Sequence, residues 1–360
     1  CAVARSGHGC GHHLFGTASV AAAIALKKQL EASGKPATIK VFGTPAEEGG
    51  SGKVYMVRDG LFKDVDVVLH WHPDSRNNAN TNSSLANITA KFRFRGISAH
   101  AAAAPEQGRS ALDGVEAMDN MVNMMREHVP SDARIHYIIT EGGKAPNVVP
   151  DYAEVYYYAR HHDRAVVADI FSRIVNAAKG AALGTGTTVD YEIIGGVYDL
   201  LPVESLARIM HRNLTMVGGV IYAPEEITFG KKIQATLIGP VPPAIASAAQ
   251  VDPFSTESRR GGSTDVGDVS WAVPTVGLRA ATWIPGTPAH SWQAVACGGT
   301  DIGHKGMMVA AKAIALTGWE LINNPAEIEA GTAEWKKLVG PDFQYKALLG
   351  DRKPALNYRD

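Results

Sequence analysis

Val65-Asp66-Val67-Val68-Leu69-His70-Trp71-His72 is a β-rich run that ends on two histidines. Branched and aromatic residues favour an extended strand over 65–71. Residues two apart on a strand point to the same side, so His70 and His72 share a face, and spacing alone does not say which is the ligand. A strand that delivers chemistry at its C-terminal end predicts an open α/β sheet, in which ligands collect beyond the carboxyl ends of the strands.

The preceding segments carry the same pattern. Residues 38–43 (Thr-Ile-Lys-Val-Phe-Gly) alternate and predict a second strand, which places Glu47 and Glu48 just past its end. On an extended segment these adjacent carboxylates would point to opposite sides. One could then bind metal while its neighbour addresses a water, as metal-assisted hydrolysis requires. Further upstream, Gly7-His8-Gly9-Cys10-Gly11-His12-His13 runs into a proline-free, helically spaced segment, 12–33, closed by Ser33-Gly34-Lys35-Pro36. Gly9 and Gly11 permit a tight turn that aims Cys10 and His12 at one point. Thiolate and imidazole suit zinc and similar ions. An isolated C-x-H is more often a buried cysteine beside a satisfied histidine, and an isolated Glu-Glu a solvated turn. Their co-occurrence shifts the reading to a metal centre. His290, in a loop after a buried strand at 274–283, is a candidate ligand from a distant segment.

From about Asn87 the order becomes strand 88–95, helix 111–129, strand 134–140, strand 153–160, helix 164–182, strand 187–194. This β-α-β-β-α-β order predicts a ferredoxin-like α+β domain over 87–199. Residues 1–86 and 200–360 then form one discontinuous catalytic domain, a mixed sheet with flanking helices that include 201–217 and 304–322. Residues 239–260, dense in Pro, Ala and Ser, read as a mobile loop. Residues 323–360 read as a polar tail with one helix near 326–338.

Thirty-five basic and 36 acidic residues leave a formal net charge of -1, which offers no field for a polyanion, so nucleic acid is not an expected partner. No apolar run is long enough to span a bilayer. Three cysteines, Cys1, Cys10 and Cys297, are too few and too odd for a disulfide framework, and a reducing cytoplasm is expected.

Taken together, Gly7 to Gly16, EEGGSGKVYMVR from Glu47, GRSALD from Gly108, PNVV from Pro146, IQATL from Ile233, STDVGDVSW from Ser263 and HKGM from His304 resemble the M20 family of metallopeptidases and amidohydrolases, in its H-x-C-G-H branch. The resemblance implies a zinc-peptidase-like catalytic domain with an inserted lid that also dimerises, and a further part of the catalytic domain ahead of the motif. It implies two divalent ions, zinc or manganese with cobalt or nickel tolerated, held by Cys10, His12, Glu48, His72 and His290, with Glu47 as general base. His72 is chosen over His70 because the family's ligand falls six residues after an acidic residue opening its strand, here Asp66. The resemblance also gives His100 an oxyanion-stabilising role across the dimer, and Asn147 and Arg160 the substrate carboxylate. The implied reaction is cleavage of the amide between an aroyl or acyl group and an amino acid, with p-aminobenzoyl-glutamate as first candidate. A dipeptide or N-acyl amino acid is the alternative substrate. The implied assembly is a homodimer, or a hetero-oligomer with a related chain in which this one could have a supporting role.

Overall fold

Helix α1 (His12–Ser33) opens on Gly11 and closes on Gly34, both left-handed, with the Gly34 N–H bonded to Leu30 O. The computed structural model describes residues 7–257 and 261–356 of the chain. Leu14, Ala18, Ala22 and Leu26 form a four-residue-spaced buried stripe along α1. That stripe packs on α10, where Gly318 leaves room for the Leu26 side chain.

After α1, residues 35–46 run without regular structure to α2 (Glu47–Gly50), α3 (Gly52–Arg58) and strand β1 (Val68–Asp74). The expected strand at 38–43 does not form. Its alternation is real, with Ile39 and Phe42 half-buried, but no strand lies beside it to accept its backbone hydrogen bonds. Glu47 and Glu48 therefore sit on a helical turn and not at a strand end.

A second unit follows: β2 (Ala86–Arg95), α4 (Ala111–Met125), β3 (Arg134–Glu141), β4 (Tyr152–His161), α5 (Arg164–Thr185) and β5 (Thr188–Val197). Its four strands are antiparallel in the order β3-β4-β2-β5. Ile88, Ala90, Phe92 and Phe94 on β2 bury one sheet face against Val115, Met118, Ile170 and Ile174 of the two helices. Ser110 caps α4 by accepting from Asp113 N, and Asp163 caps α5 by accepting from Ala165 N.

The chain then returns through α6 (Glu204–Val217), α7 (Pro224–Gln234), α8 (Val266–Ala272), strand β6 (Thr275–Ala281), α9 (Trp292–Gly298), α10 (Asp301–Asn323) and α11 (Pro325–Val339). Among the described residues the sheet here is one parallel pair, β1 with β6, so the expected mixed sheet is not seen in this part. Trp71, Leu206, Met210, Leu278 and Ile314 form its core with α1, α6 and α10.

Two segments are more ordered than their composition suggests. Residues 245–251 form a 3-10 turn and bridge, clasped by Asn77, whose Nδ2 donates to Ala248 O and Gln250 O. This replaces the expected mobile loop; residues 258–260 lie outside the described ones. The tail beyond α11 is no free polar strand either. Leu349 is buried with Val54 and Val197, and Arg352 donates to Ile194 O across the junction of the two units. At the same junction the Arg164 guanidinium stacks 3.6 Å from the Trp271 ring, with Phe343 and Tyr198 around it. No helix among the described residues is long and apolar enough to cross a membrane.

Candidate metal and active site

The loop before α1 turns sharply at Gly11 (φ 80°), where a Cβ would stand 2.7 Å from the Pro73 ring. Only glycine meets both the positive φ and this close approach. The turn places Cys10 and His12 over the end of β1, and Gly9 O accepts from the His290 backbone N–H at 2.8 Å, which pins the distant loop to the first. Three non-glycine residues have positive φ among the described ones: Ala46, Ser51 and His290. Two bracket the Glu47–Gly50 turn and the third carries an imidazole, so the backbone strain is gathered at this site.

Glu48 lies at the centre. Its Oε1 is 3.4 Å from His12 Nε2 and 3.2 Å from His290 Nε2. Cys10 groups with Glu48 and His290, and its Sγ is 3.4 Å from His72 Nε2. His12 Nε2 is buried and makes no hydrogen bond. The imidazole of His12, with His290 beyond it, holds the Glu48 carboxyl down at about 2 against the opposing effect of burial. Burial, then the Glu48 charge, pushes the Cys10 thiol up to about 12, so a cation is what would favour its thiolate. All five expected ligands are thus drawn together.

Glu47 shares the turn but faces another set of partners. It stands 3.7 Å from His12 Nε2, while burial and the charge of Asp265 raise its pKa and a Thr264 hydrogen bond opposes the rise. Asp265, whose side chain is 0% exposed, pairs with Lys53 Nζ at 2.8 Å and accepts from Lys53 N at 2.9 Å. The expected division between the glutamates therefore persists, set by the turn and its neighbours. Lys53, Thr264 and Asp265 were not singled out from sequence, although they fall within the EEGGSGK and STDVGD stretches. Nothing in their spacing announces an ion pair between segments so far apart.

On β1, Nδ1 of His72 lies 2.6 Å from Pro73 O. A carbonyl only accepts, so Nδ1 carries the proton and Nε2 presents its lone pair toward Cys10. His70 is different: its ring fills the space over Gly277, where a Cβ would meet Nε2 at 2.2 Å, and burial drops its pKa to about 3. His13 Nε2 bonds Gly298 O, and His8 packs against the His13 ring, so these two brace the loop.

A cleft of about 1700 Å³ opens from the cluster and is lined by Cys10, His12, Glu47, Glu48, His72 and His290, and by Arg160 from β4. His100 and Asn147 are not brought to it. Both are exposed at the far end of the second unit, where the His100 backbone bridges Val148 and Ala101 N donates to Asn147 O.

A fold with a parallel α/β core, an inserted antiparallel unit and this donor set defines a metallohydrolase-type architecture. The model of Peptidase family M20/M25/M40 matches residues 3–291, and the chain belongs to that family of amide-bond hydrolases. The chain is 44% identical over 337 residues to one of the two subunit types of the p-aminobenzoyl-glutamate hydrolase of Escherichia coli (strain K12), covering 87% of this chain and 70% of the relative. It is 32% identical over 335 residues to a Xaa-Arg dipeptidase of Mus musculus, covering 92% of this chain and 70% of the relative. Among solved structures, the aminobenzoyl-glutamate utilization protein from Klebsiella pneumoniae superposes with a TM-score of 0.57 at 19% identity, over 82% of this chain and 65% of that one, and shares its fold.

Proposed function

We propose that the cleft hydrolyses the amide between an aroyl or acyl group and an amino acid, with p-aminobenzoyl-glutamate the first choice of substrate. The observation that carries this reading is the convergence of Cys10, His12, Glu48, His72 and His290 around one carboxylate, with Glu47 alongside but held by other partners. Likeness to the E. coli hydrolase supports the substrate choice.

The donor set fits two divalent cations, with Glu48 shared between them: thiolate, imidazole and carboxylate suit zinc and accept manganese, cobalt or nickel. The unpartnered His12 Nε2 and the bare His72 Nε2 have the form a ligand nitrogen needs. Ions bound there supply Lewis acidity toward the scissile carbonyl and make a water more acidic. Glu47 accepts the proton of that water on its carboxylate and returns it to the leaving nitrogen, a role suited to a carboxyl with a raised pKa. The Arg160 guanidinium receives the carboxylate of the leaving amino acid. The unit spanning 87–199 acts as a ferredoxin-like lid over the catalytic domain of residues 1–86 and 200–360. His100 and Asn147, exposed at its far end, complete the site of a second copy or of a related chain in a mixed oligomer. Two buried free thiols, Cys10 and Cys297, suit a reducing cytoplasm.

Glu47→Gln in the metal-reconstituted protein tests the reading. Metal content should stay at the wild-type level while turnover of p-aminobenzoyl-glutamate falls by about 10²-fold or more; near-normal turnover would reject Glu47 as the base.

A further inference from the structure

Four buried side-chain atoms that line the cleft make no hydrogen bond: Asn80 Nδ2, Asn82 Oδ1, Ser263 Oγ and Arg160 Nε. They lie at one end of it. The strip that carries Asn80 and Asn82 runs beside the strip leading to Ser263, with Thr81 N bonded to Ser255 O and Leu85 N to Gly262 O. The first strip enters β2, where Asn87 pairs directly with Arg160 and so shares its sheet face. Asn80 Oδ1 accepts from Ser255 N at 2.9 Å, which fixes the amide and leaves Nδ2 as the free donor. Native proteins keep few buried polar atoms without partners, and a group of them along one cleft marks where a polar ligand sits.

Charge narrows the ligand. Of the cations lining the cleft, Lys40 pairs with Asp64, Lys53 with Asp265 and Arg279 with Asp74, whereas Arg160 makes no ion pair among the described residues. Residues 80–87 and 261–264 contain no carboxylate. This corner offers hydrogen-bond donors and one uncommitted positive charge, and nothing to neutralise a cation.

Building on the amide-hydrolase reading, we infer that Asn80, Asn82 and Ser263 form a subsite for the side chain of the leaving amino acid, beside Arg160, and that it selects a side-chain carboxylate over an apolar or cationic group. Glutamate is the type of leaving group it fits. The subsite acts on specificity by pairing its donors with a group that competing substrates lack.

The test compares kcat/KM for N-benzoyl derivatives of glutamate, leucine and arginine with the metal-reconstituted protein. Wild type should prefer glutamate to both others by about tenfold or more. Asn80→Asp keeps the acceptor for Ser255 N but sets a like charge against the substrate. It should lower the glutamate-to-arginine ratio by about tenfold, through KM. Ser263→Ala should lower the glutamate-to-leucine ratio without changing metal content. A wild type indifferent to the side chain, or variants with unaltered ratios, would overturn the subsite and leave hydrolysis standing. If none of the three is cleaved, the amide-hydrolase reading fails instead, and calorimetric binding of free L-glutamate against L-leucine decides the subsite. Tighter glutamate binding that Asn80→Asp abolishes supports it; equal binding overturns it.

Discussion

His70 and His72 occupy one face of β1, and what separates them is their surroundings. Gly277 on β6 makes room for the His70 ring, whereas the Pro73 carbonyl orients His72 so that Nε2 faces Cys10. His72→Ala should therefore lower the number of ions bound per chain, while His70→Ala should leave it unchanged and cost stability as a buried ring is lost. Metal analysis beside thermal melting separates the two outcomes, and metal loss with His70→Ala alone would reverse the assignment. The candidate ligands were legible in sequence because each motif combines donors with glycines that force a turn. The pairing of Lys53 with Asp265 was not, since the two lie more than two hundred residues apart and only the folded chain joins them.

At the scale of the element, sequence periodicity located α1, α4, α5 and α10 closely, because each carries an apolar stripe that one packed face buries. It misplaced residues 38–43, since a strand is stabilised by its neighbour and alternation says nothing of whether one is present. The approach of β6 to β1 gives a prediction of its own. Gly277→Ala would drive a methyl into the His70 ring and should destabilise the protein by about 1–3 kcal/mol, read as a lowered denaturation midpoint. Within the second unit, Asp119 is buried on α4 against the Tyr157 hydroxyl, and burial raises its carboxyl from 3.8 to about 6. A folded-state pKa above the unfolded value means that the folded chain binds the extra proton. This contribution is fully present below pH 3.8 and is lost as pH rises through 6. Chemical denaturation should thus show a fall in stability on the order of 3 kcal/mol across that window. Asp119→Asn should flatten the fall; an unchanged slope would assign it to another group.

For the whole molecule, the division into a unit at about 87–199 inserted in a discontinuous second part could be read from the change in element order. The contacts that join the two could not. The Arg164 guanidinium stacked on Trp271, and the tail from Tyr345 to Arg352 wedged between α3 and β5, depend on aromatic and polar residues whose partners have no fixed spacing. These contacts keep the Arg160 end of the lid facing the Glu48 cluster, which makes one cleft from segments spread over the chain. The central claim is that this cluster is a two-ion hydrolytic centre built on Glu48. It is tested most directly by counting zinc or manganese per chain after reconstitution and exhaustive dialysis, in wild type and in Glu48→Gln. The account predicts two ions in wild type, at most one in Glu48→Gln with an unchanged circular dichroism spectrum, and loss of amide hydrolysis with the missing ion. A folded Glu48→Gln that still holds two ions and turns over substrate would contradict it.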